Sequence, residues 1–240
     1  MRTHPVFLRL AGRRCVVIGG DETAAAKARA CAEAGGDVTV IAPELVPDLA
    51  RTVATGEARH VARAYQSGDL AGAFLVYAST ADPGLVERLA ADAEREHVLL
   101  NVVDTPDACS FIAPAVLARG ELQVAVGTGG ASPGLASRVR GEIAEVVGPE
   151  YGTLVAILGA VRRALPPGPD RIAVLGRLLD SPLLDLVRRG ARDEIDALLQ
   201  KTGGAMKVQA SGVSTTFRST CSRSASAARR STSPGSAVEA

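Results

Sequence analysis

The chain lacks the residues that mark several common classes of binding protein. It has no tryptophan, and aromatic side chains make up only 3% of its 240 residues, so a flat ligand is not held mainly by aromatic stacking. Its net charge of +1 gives no electrostatic reason to expect a nucleic-acid partner. No apolar run reaches the length of a membrane span, and the first residues lack a long apolar signal region. We therefore expect a cytoplasmic protein without a membrane partner.

Metal-binding patterns are also missing from the sequence. None of the four cysteines forms a pair at C-x-x-C spacing, and the three histidines lie far apart. We predict no resident metal site and no redox motif. The composition is otherwise that of a globular protein, because 47% hydrophobic residues in a chain of this length suit one or two domains with a substantial core.

Residues 15–29 are the most informative segment that is present. Four apolar residues run into two glycines, and an alanine-rich stretch follows, which predicts a buried strand, a tight turn and a helix. A second apolar strand follows at 37–42. A glycine turn before a helix binds phosphate because backbone N–H groups and the helix dipole both point at the anion. The segment therefore predicts a nucleotide near the start of the chain.

This glycine motif departs from the dinucleotide fingerprint G-x-G-x-x-G/A at its middle position. Gly19 takes the tight-turn place and Ala24 the helix-packing place, but Asp21 stands where the backbone meets the pyrophosphate. Two interpretations stay open: a nucleotide site with a repelling charge, or a plain strand–helix–strand unit in which Asp21 caps the helix. The predicted cofactor contacts in this corner are Gly19, Gly20, Asp21, Glu22, Thr23 and Ala24.

Short apolar runs alternate with helical patterns through residues 13–103, which predicts a parallel sheet with helices on both faces. The predicted strands are Val16–Ile18, Val38–Ile41, Ala58–Val61, Phe74–Ala78 and Val98–Val103, and the predicted helices are 22–35, 44–55 and 82–96. No acid ends the second strand to bind a ribose, and Glu44 comes two residues late. The residues alone therefore do not separate NAD from NADP.

The pattern changes after residue 104. A pair of strands is predicted over 110–117 and 122–126, followed by a glycine-rich loop and a helix that runs to about Val147. Residues 150–200 keep helical spacing. The predicted fold class is therefore α/β: a Rossmann-like parallel sheet domain, a small α+β segment and an all-helical C-terminal domain. From Gly203 serine, alanine and arginine dominate, which predicts a disordered tail.

Several segments recur together in one known family. They are Pro5–Leu8, Val17–Gly20 with Ala24 and Lys27, Asn101–Pro106, Ser110–Pro114 and Gly127–Pro133. In this order and at this spacing the chain, over roughly residues 3–200, resembles the precorrin-2 dehydrogenase/sirohydrochlorin ferrochelatase family, the N-terminal part of siroheme synthases. The Asn-Val-Val-Asp, Ser-Phe-Ile-x-Pro and Gly-Gly-x-Ser-Pro motifs are specific as a set, whereas the paired glycines alone are weak.

The resemblance implies an activity and a domain plan. The activity is oxidation of precorrin-2, a tetrapyrrole, to sirohydrochlorin with NAD⁺ as cofactor. Many members also insert Fe²⁺ as a substrate to give siroheme, and whether this chain does so stays open. The family works as a homodimer. The matching ranges are 1–112 for the NAD-binding domain, 113–148 for the central dimerisation segment, 149–202 for the helical domain and 203–240 for the tail.

The resemblance also assigns site residues. Asp104 directly follows the last predicted strand of the sheet, at the edge where ligands bind, and it matches the family's catalytic aspartate. A carboxylate there can take the proton that is lost when a hydride leaves the tetrapyrrole. From the residue alone, an Asx-turn cap before Thr105 is the alternative. The other predicted contacts are Ala42, Pro43 and Thr80 for the cofactor and Asn101, Ser110, Thr128, Gly129, Gly130 and Ser132 for the substrate.

Two further functions compete with this one. A non-catalytic module that dimerises and senses NAD would need neither Asp104 nor the glycine-rich loop. A dehydrogenase for a small alcohol would need a Tyr-x-x-x-Lys pair, but Tyr77 and Tyr151 have no lysine four residues on. The glycine-rich loop itself has two interpretations, a cradle for substrate carboxylates or a tight connection between strand and helix.

Overall fold

A five-stranded parallel sheet forms the first part of the computed structural model, which describes residues 3–203. The strands are β1 (Arg14–Ile18), β2 (Asp37–Ile41), β3 (Ala58–Val61), β4 (Leu75–Ala78) and β5 (Leu99–Val102), and the helices are α1 (Glu22–Glu33), α2 (Pro47–Ala54) and α3 (Pro83–Glu96). The predicted α/β fold class is confirmed. The predicted tail, apart from Gly203, lies outside the described residues.

The strand order β3-β2-β1-β4-β5 places β1 at the centre. From β1 the chain passes through α1 to β2 on one side, and later returns to β4 on the other side. Such a reversal leaves a crevice at the carboxyl ends of the adjacent strands β1 and β4, and α/β sheets bind their ligands in crevices of this kind.

Strand β1 is buried on both of its faces, which explains its uninterrupted apolar sequence. Cys15 and Val17 point to one side and pack in a core with α1 and α2. Val16 and Ile18 point to the other side and pack with α3. The sheet is therefore covered on both faces, as the alternation of strands and helices predicted.

Helix α2 begins three residues later than predicted, at Pro47 rather than at 44. Pro47 stands in the first turn, where a missing N–H costs nothing. The preceding residues form a loop instead, because the N–H of Val46 donates to the carbonyl of Gly20 at 2.8 Å. This β2–α2 loop, residues 42–46, is a wall of the site described below.

The described chain divides into two compact units: residues up to Pro114 with Gly127–Pro133, and Ala115–Val126 with the residues from Gly134 onward. The second unit contains the antiparallel hairpin of β6 (Ala115–Arg119) and β7 (Leu122–Val126). Its helices are α4 (Pro133–Val146), α5 (Glu150–Ala164), α6 (Pro169–Leu179), α7 (Leu183–Arg189) and α8 (Arg192–Gly203). The four domain ranges stay a prediction.

The hairpin begins later than the predicted residue 110. The short 3₁₀ helix Pro106–Ala108 and the residues after it run beside β5 instead, with the N–H of Ser110 on the carbonyl of Leu100 at 2.9 Å. Considered singly, no helix within residues 3–203 is long and apolar enough to cross a membrane. Helices α4 and α5 satisfy those criteria only as a pair, and that pair is bent by 71°.

Candidate functional site

A cavity of about 550 Å³ opens at the carboxyl ends of β1, β2 and β4. It lies within the first unit and at the crevice that the strand order creates. The volume is in the usual range for cofactor and small-molecule sites. The lining residues are Ile18, Gly19, Gly20, Asp21, Ile41, Ala42, Pro43, Glu44, Leu45, Val46, Ala64, Tyr65, Ser79, Thr80 and Leu85.

The two glycines that close β1 are held where no side chain fits. Gly19 has φ +116°, and a Cβ on it would lie 2.7 Å from the carbonyl oxygen of Ser79. A Cβ on Gly20 would lie 1.8 Å from the carbonyl oxygen of Glu44. The glycines therefore let the end of β4 and the β2–α2 loop close tightly around the start of α1.

Asp21 is both a helix cap and a lining residue. Its Oδ1 accepts the N–H of Ala24 at 2.8 Å, and its Oδ2 accepts the hydroxyl of Ser79 at 2.6 Å. The interpretation of Asp21 as a helix cap is confirmed. The interpretation of this corner as a nucleotide site stays open, because Asp21 also borders the cavity. The N–H groups of Glu22 and Thr23, the first residues of α1, have no intrahelical partner and can bind an anion.

Six of the nine predicted cofactor contacts line the cavity: Gly19, Gly20, Asp21, Ala42, Pro43 and Thr80. Glu22 and Thr23 belong to the first turn of α1 instead, and the Ala24 side chain is buried in the core, where it packs the helix against the sheet. The cofactor roles of all nine residues stay predictions.

The sequence analysis missed Tyr65, which follows β3 and lines the cavity. Its hydroxyl donates to Asp92 on α3, and Arg95 donates to the same carboxylate at 2.7 Å. The hydrogen bond from Tyr65, and then Arg95, hold the pKa of buried Asp92 below its usual value. Burial, and then Asp92, raise the pKa of Tyr65. No motif surrounds Tyr65 that would have revealed this role.

Asp104 lies in the turn directly after β5, with a left-handed φ of +58°. Positive φ is uncommon for a residue other than glycine and is concentrated at functional sites. Within residues 3–203 its exposed carboxylate makes no hydrogen bond or ion pair, so the alternative of an Asx-turn cap is wrong. The N–H of Val103 donates to the carbonyl of Ala78 at 2.9 Å, which places this turn beside the end of β4 and hence beside Ser79.

Cys109, a second residue that the sequence analysis missed, contacts the backbone on both sides of Asp104. Its Sγ lies 3.2 Å from the N–H and the carbonyl of Val102 and 3.2 Å from the carbonyl of Thr105. Burial raises the pKa of this thiol. Cys109 therefore fills the inside of the turn, and no cysteine pattern in the sequence points to that role.

Two predicted substrate contacts, Asn101 and Ser110, are engaged by the protein itself. The amide of Asn101 is buried and donates to the carbonyl of Phe111 at 2.9 Å. The hydroxyl of Ser110 accepts the N–H of Leu100 at 2.8 Å. Both bonds fasten residues 109–111 along β5. The structure thus gives these side chains a role in the shape of the site, and their contact with substrate stays a prediction.

The glycine-rich loop at 127–133 is closed by Thr128. Its hydroxyl accepts the N–H of Ser132 at 3.1 Å and donates to the carbonyl of Ser132 at 3.0 Å. Gly129 and Gly130 both have positive φ, and a Cβ on Gly130 would lie 4.0 Å from the Cβ of Pro106. Four predicted substrate contacts therefore belong to a loop that approaches the segment after Asp104.

No group of three His, Cys, Asp or Glu side chains that could hold a metal ion occurs within the described part of the chain. The site, as described, combines the unpaired carboxylate of Asp104 with a cavity whose lining holds two carboxylates, several hydroxyls and a helix N-terminus. Such an arrangement can bind a phosphate-bearing cofactor and accept a proton.

Two family models match the chain. Residues 6–115 match a putative NAD(P)-binding family, and residues 119–145 match the central segment of sirohaem biosynthesis proteins. The siroheme synthase of Methylobacillus flagellatus is 39% identical over 165 residues, which are 69% of this chain and 35% of that protein. The siroheme synthase of Chromobacterium violaceum is 36% identical over 212 residues, which are 85% and 45% of the two chains. The chain thus spans less than half the length of these relatives.

Among solved structures, SirC, a precorrin-2 dehydrogenase, has the same fold. The TM-score is 0.64, and the match covers 81% of this chain and all of SirC. The sequence identity of that match is only 22%, so it supports the architecture rather than the chemistry.

Proposed function

We propose a function from the premise that the chain belongs to the siroheme synthase family, in the region that joins an NAD(P)-binding fold to the sirohaem central segment. The chain is an NAD-dependent precorrin-2 dehydrogenase, which oxidises precorrin-2 to sirohydrochlorin. The names of the relatives support the substrate class, and the cavity and the Asp104 turn of the first unit support the proposed catalytic arrangement.

The reaction removes a hydride and a proton from precorrin-2 and yields sirohydrochlorin, NADH and H⁺. Bound NAD⁺ supplies the hydride acceptor. The N-terminus of α1 and the hydroxyl of Thr80 would hold the cofactor, in a cavity whose volume and position suit a dinucleotide. Gly19 and Gly20 keep the corner narrow enough for backbone groups to reach it.

One observation carries this proposal: the free carboxylate of Asp104, in a backbone conformation that few residues adopt, on a turn that lies beside the end of β4 and so next to the lining residue Ser79. As a base, Asp104 takes the proton that leaves the macrocycle while the hydride departs. The glycine-rich loop at 127–133 approaches the segment after Asp104, and the N–H groups of Gly129 and Gly130, two residues without a side chain, suit the carboxylates of a tetrapyrrole.

The test is to mix the purified full chain with NAD⁺ and precorrin-2 and to follow the absorbance of sirohydrochlorin and of NADH together. Equal amounts of the two products are expected, and none without NAD⁺. Binding of NAD⁺ without any product would instead favour the non-catalytic NAD sensor.

Iron insertion is a second candidate, favoured by the relatives named siroheme synthases and by the same unpaired carboxylate. Insertion of Fe²⁺ into sirohydrochlorin requires removal of pyrrole protons, which Asp104 can accept. Fe²⁺ is a substrate in this step. Siroheme formation from purified sirohydrochlorin and Fe²⁺, without NAD⁺, would establish this activity separately.

The proposal extends to the state of the protein in the cell. A homodimer in the cytoplasm follows from the family resemblance, and the hairpin of β6 and β7 belongs to the segment expected to dimerise. Sedimentation equilibrium of the purified chain checks the homodimer, and a monomer at every concentration would contradict it.

A further inference from the structure

The charged side chains that line the cavity are all acidic. Asp21 and Glu44 are the charged members of the lining, and none of the described residues that border the cavity is lysine, arginine or histidine. Asp21 is the N-cap of α1. Glu44 lies in the β2–α2 loop, whose backbone closely approaches Gly20, the residue before Asp21. A cofactor site would ordinarily be expected to neutralise phosphates rather than to surround them with carboxylates.

Three basic side chains of the first unit are engaged by other groups of the protein. Arg63, which follows β3, forms a two-pronged pair with Asp69, with both N–O distances at 2.7 Å. The Nε2 of His60 is 2.9 Å from the carbonyl of Ala42. Lys27 on α1 stacks over the ring of Tyr77, 5.2 Å from its centroid. None of these three side chains is among the residues that line the cavity.

We propose that Asp21 and Glu44 select the dinucleotide by its net charge, favouring NAD⁺ over NADH and excluding NADP⁺. This proposal rests on the proposed function. NADH carries one more negative charge than NAD⁺, because its nicotinamide ring has lost the positive charge. NADP⁺ carries an additional phosphate on its adenosine ribose. Each added negative charge is repelled by a lining that holds carboxylates and no cation.

This selection suits an enzyme that works in the direction of oxidation. The oxidised cofactor is the least negative of the three and binds best, whereas the reduced product is repelled and leaves. Asp21 thereby acquires a role beyond the helix cap: a glycine or a neutral cap at the same place would bind all three dinucleotides more tightly and discriminate less between them.

The experiment compares the dissociation constants of NAD⁺, NADH and NADP⁺ by isothermal titration calorimetry of the full chain. Asp21→Asn keeps a hydrogen-bonding cap but removes the charge, and Glu44→Gln removes the other charge. In the unchanged chain the dissociation constant of NADP⁺ should exceed that of NAD⁺. Each variant is expected to lower this ratio, NADP⁺ over NAD⁺, by about threefold to tenfold at physiological ionic strength. The ratio for NADH and NAD⁺ should fall in the same direction.

Glu33→Gln is the matched control. It removes the same charge from the other end of α1, and Glu33 is exposed and does not line the cavity. Glu33 is 12 positions after Asp21, a separation of about 18 Å along the helix axis, which exceeds the screening length at physiological ionic strength. Both ratios should stay at the values of the unchanged chain.

Unchanged ratios in Asp21→Asn and Glu44→Gln would overturn the selection by charge. A third variant, Asp21→Ser, also removes the charge but caps the helix with a side chain of a different shape. If both ratios fall in Asp21→Ser as in Asp21→Asn, the lost charge is the cause and not the shape of the side chain. If the unchanged chain binds none of the three dinucleotides, the proposed function fails rather than this inference. Raising the salt concentration should reduce the discrimination of the unchanged chain, and no effect of salt would also count against the proposal.

Discussion

Asp104 combines an unfavourable backbone conformation with a free carboxylate. A left-handed φ costs a residue with a side chain about 1–2 kcal/mol relative to its usual conformations, and less for aspartate than for most. Proteins keep such a residue where the position of its side chain matters. The combination therefore separates Asp104 from the other exposed acids of the chain.

Substitution of Asp104 should separate activity from stability. Asp104→Asn is expected to keep the fold and to lower dehydrogenase turnover by about 10²–10⁴-fold, because a positioned base is lost. Asp104→Gly should lose turnover equally while its melting temperature stays the same or rises, because glycine adopts positive φ without strain. Steady-state kinetics and thermal unfolding check both. Near-normal turnover in either variant would remove Asp104 from the mechanism.

His97 supplies the control, because it is the other described residue besides glycine with positive φ, at the C-cap of α3. His97→Gly should stabilise the chain by up to about 1 kcal/mol and leave turnover unchanged. A loss of turnover there would mean that rigidity of the first unit, rather than the Asp104 carboxylate, is what such substitutions disturb.

The site residues differ in how well their positions and roles could be predicted from the sequence. Asp21 could be placed at the start of a helix and Asp104 at the end of a strand, because short-range patterns define both positions. Tyr65 and Cys109 could not, since Tyr65 meets Asp92 across 27 positions and Cys109 acts by filling a turn. Their roles arise from the tertiary structure.

At the scale of elements, the β2–α2 loop depends on the absence of a side chain at Gly20. Gly20→Ala should force this loop away from β1, since its Cβ would lie 1.8 Å from the Glu44 carbonyl. We expect a loss of about 1–3 kcal/mol in the free energy of unfolding, together with weaker NAD⁺ binding. Urea unfolding and calorimetric titration measure these two effects.

Gly176→Ala is the control for that substitution, because a Cβ on this helical glycine meets nothing within 4 Å. Alanine should stabilise α6 by about 0.5–1 kcal/mol there. If Gly20→Ala were equally harmless, the close approach between the loop and the glycine corner would be wrong.

Tyr65 joins the wall of the cavity to α3, and its removal should show a characteristic pH dependence. The pKa of Asp92 is lowered in the folded chain, so Asp92 stabilises the fold above the unfolded pKa of about 3.9, and this contribution is lost as the pH falls through the folded value. Tyr65→Phe should therefore cost about 1–3 kcal/mol at neutral pH, and this cost should shrink in acid. Urea unfolding across that pH range measures it.

Tyr77→Phe is the comparison, because Tyr77 is partly buried and makes no hydrogen bond to a carboxylate within residues 3–203. The loss in the free energy of unfolding caused by Tyr77→Phe should not vary with pH below neutrality. Equal pH profiles for the two variants would show that the hydroxyl of Tyr65 does not set the pKa of Asp92.

Elements whose ends carry a local signal were predicted closely. Helix α3 has Asp82 at its N-cap and Pro83 in its first turn, and its predicted range differs by one residue from the observed one. The start of α2 and the start of the first hairpin strand were wrong, because each depends on contacts made by a neighbouring element. Periodicity describes a segment by itself and does not show which backbone groups pair with another strand.

At the scale of the whole molecule, the proposed cofactor cavity is confined to one of the two units. Gly152 on α5 belongs to the other unit, and a Cβ on it would lie 2.8 Å from the carbonyl of Arg119. Gly152→Ala should lower the stability of the second unit by about 1–3 kcal/mol without changing the affinity for NAD⁺. Circular dichroism melting and calorimetric titration at low temperature test this. A parallel loss of NAD⁺ affinity would contradict the assignment of the cavity to one unit.

The two units divide the described chain differently from the four predicted domain ranges, which stay a prediction. The glycine-rich loop at 127–133 follows the hairpin in sequence, yet it belongs to the first unit. Sequence patterns do not show which earlier residues a loop contacts, so the return of this loop to the first unit could not be read from the sequence.

The fastening of residues 109–111 along β5 also bears on the behaviour of the protein in concentrated solution. An outer strand with free N–H and carbonyl groups is a template on which the strand of another molecule can pair. Here the backbone and hydroxyl of Ser110 occupy those groups of Leu100, and the Asn101 side chain fixes the covering segment in place. The short stretch that shapes the Asp104 turn therefore also covers the outer edge of the sheet at Leu100, which keeps the strand of another molecule from pairing there.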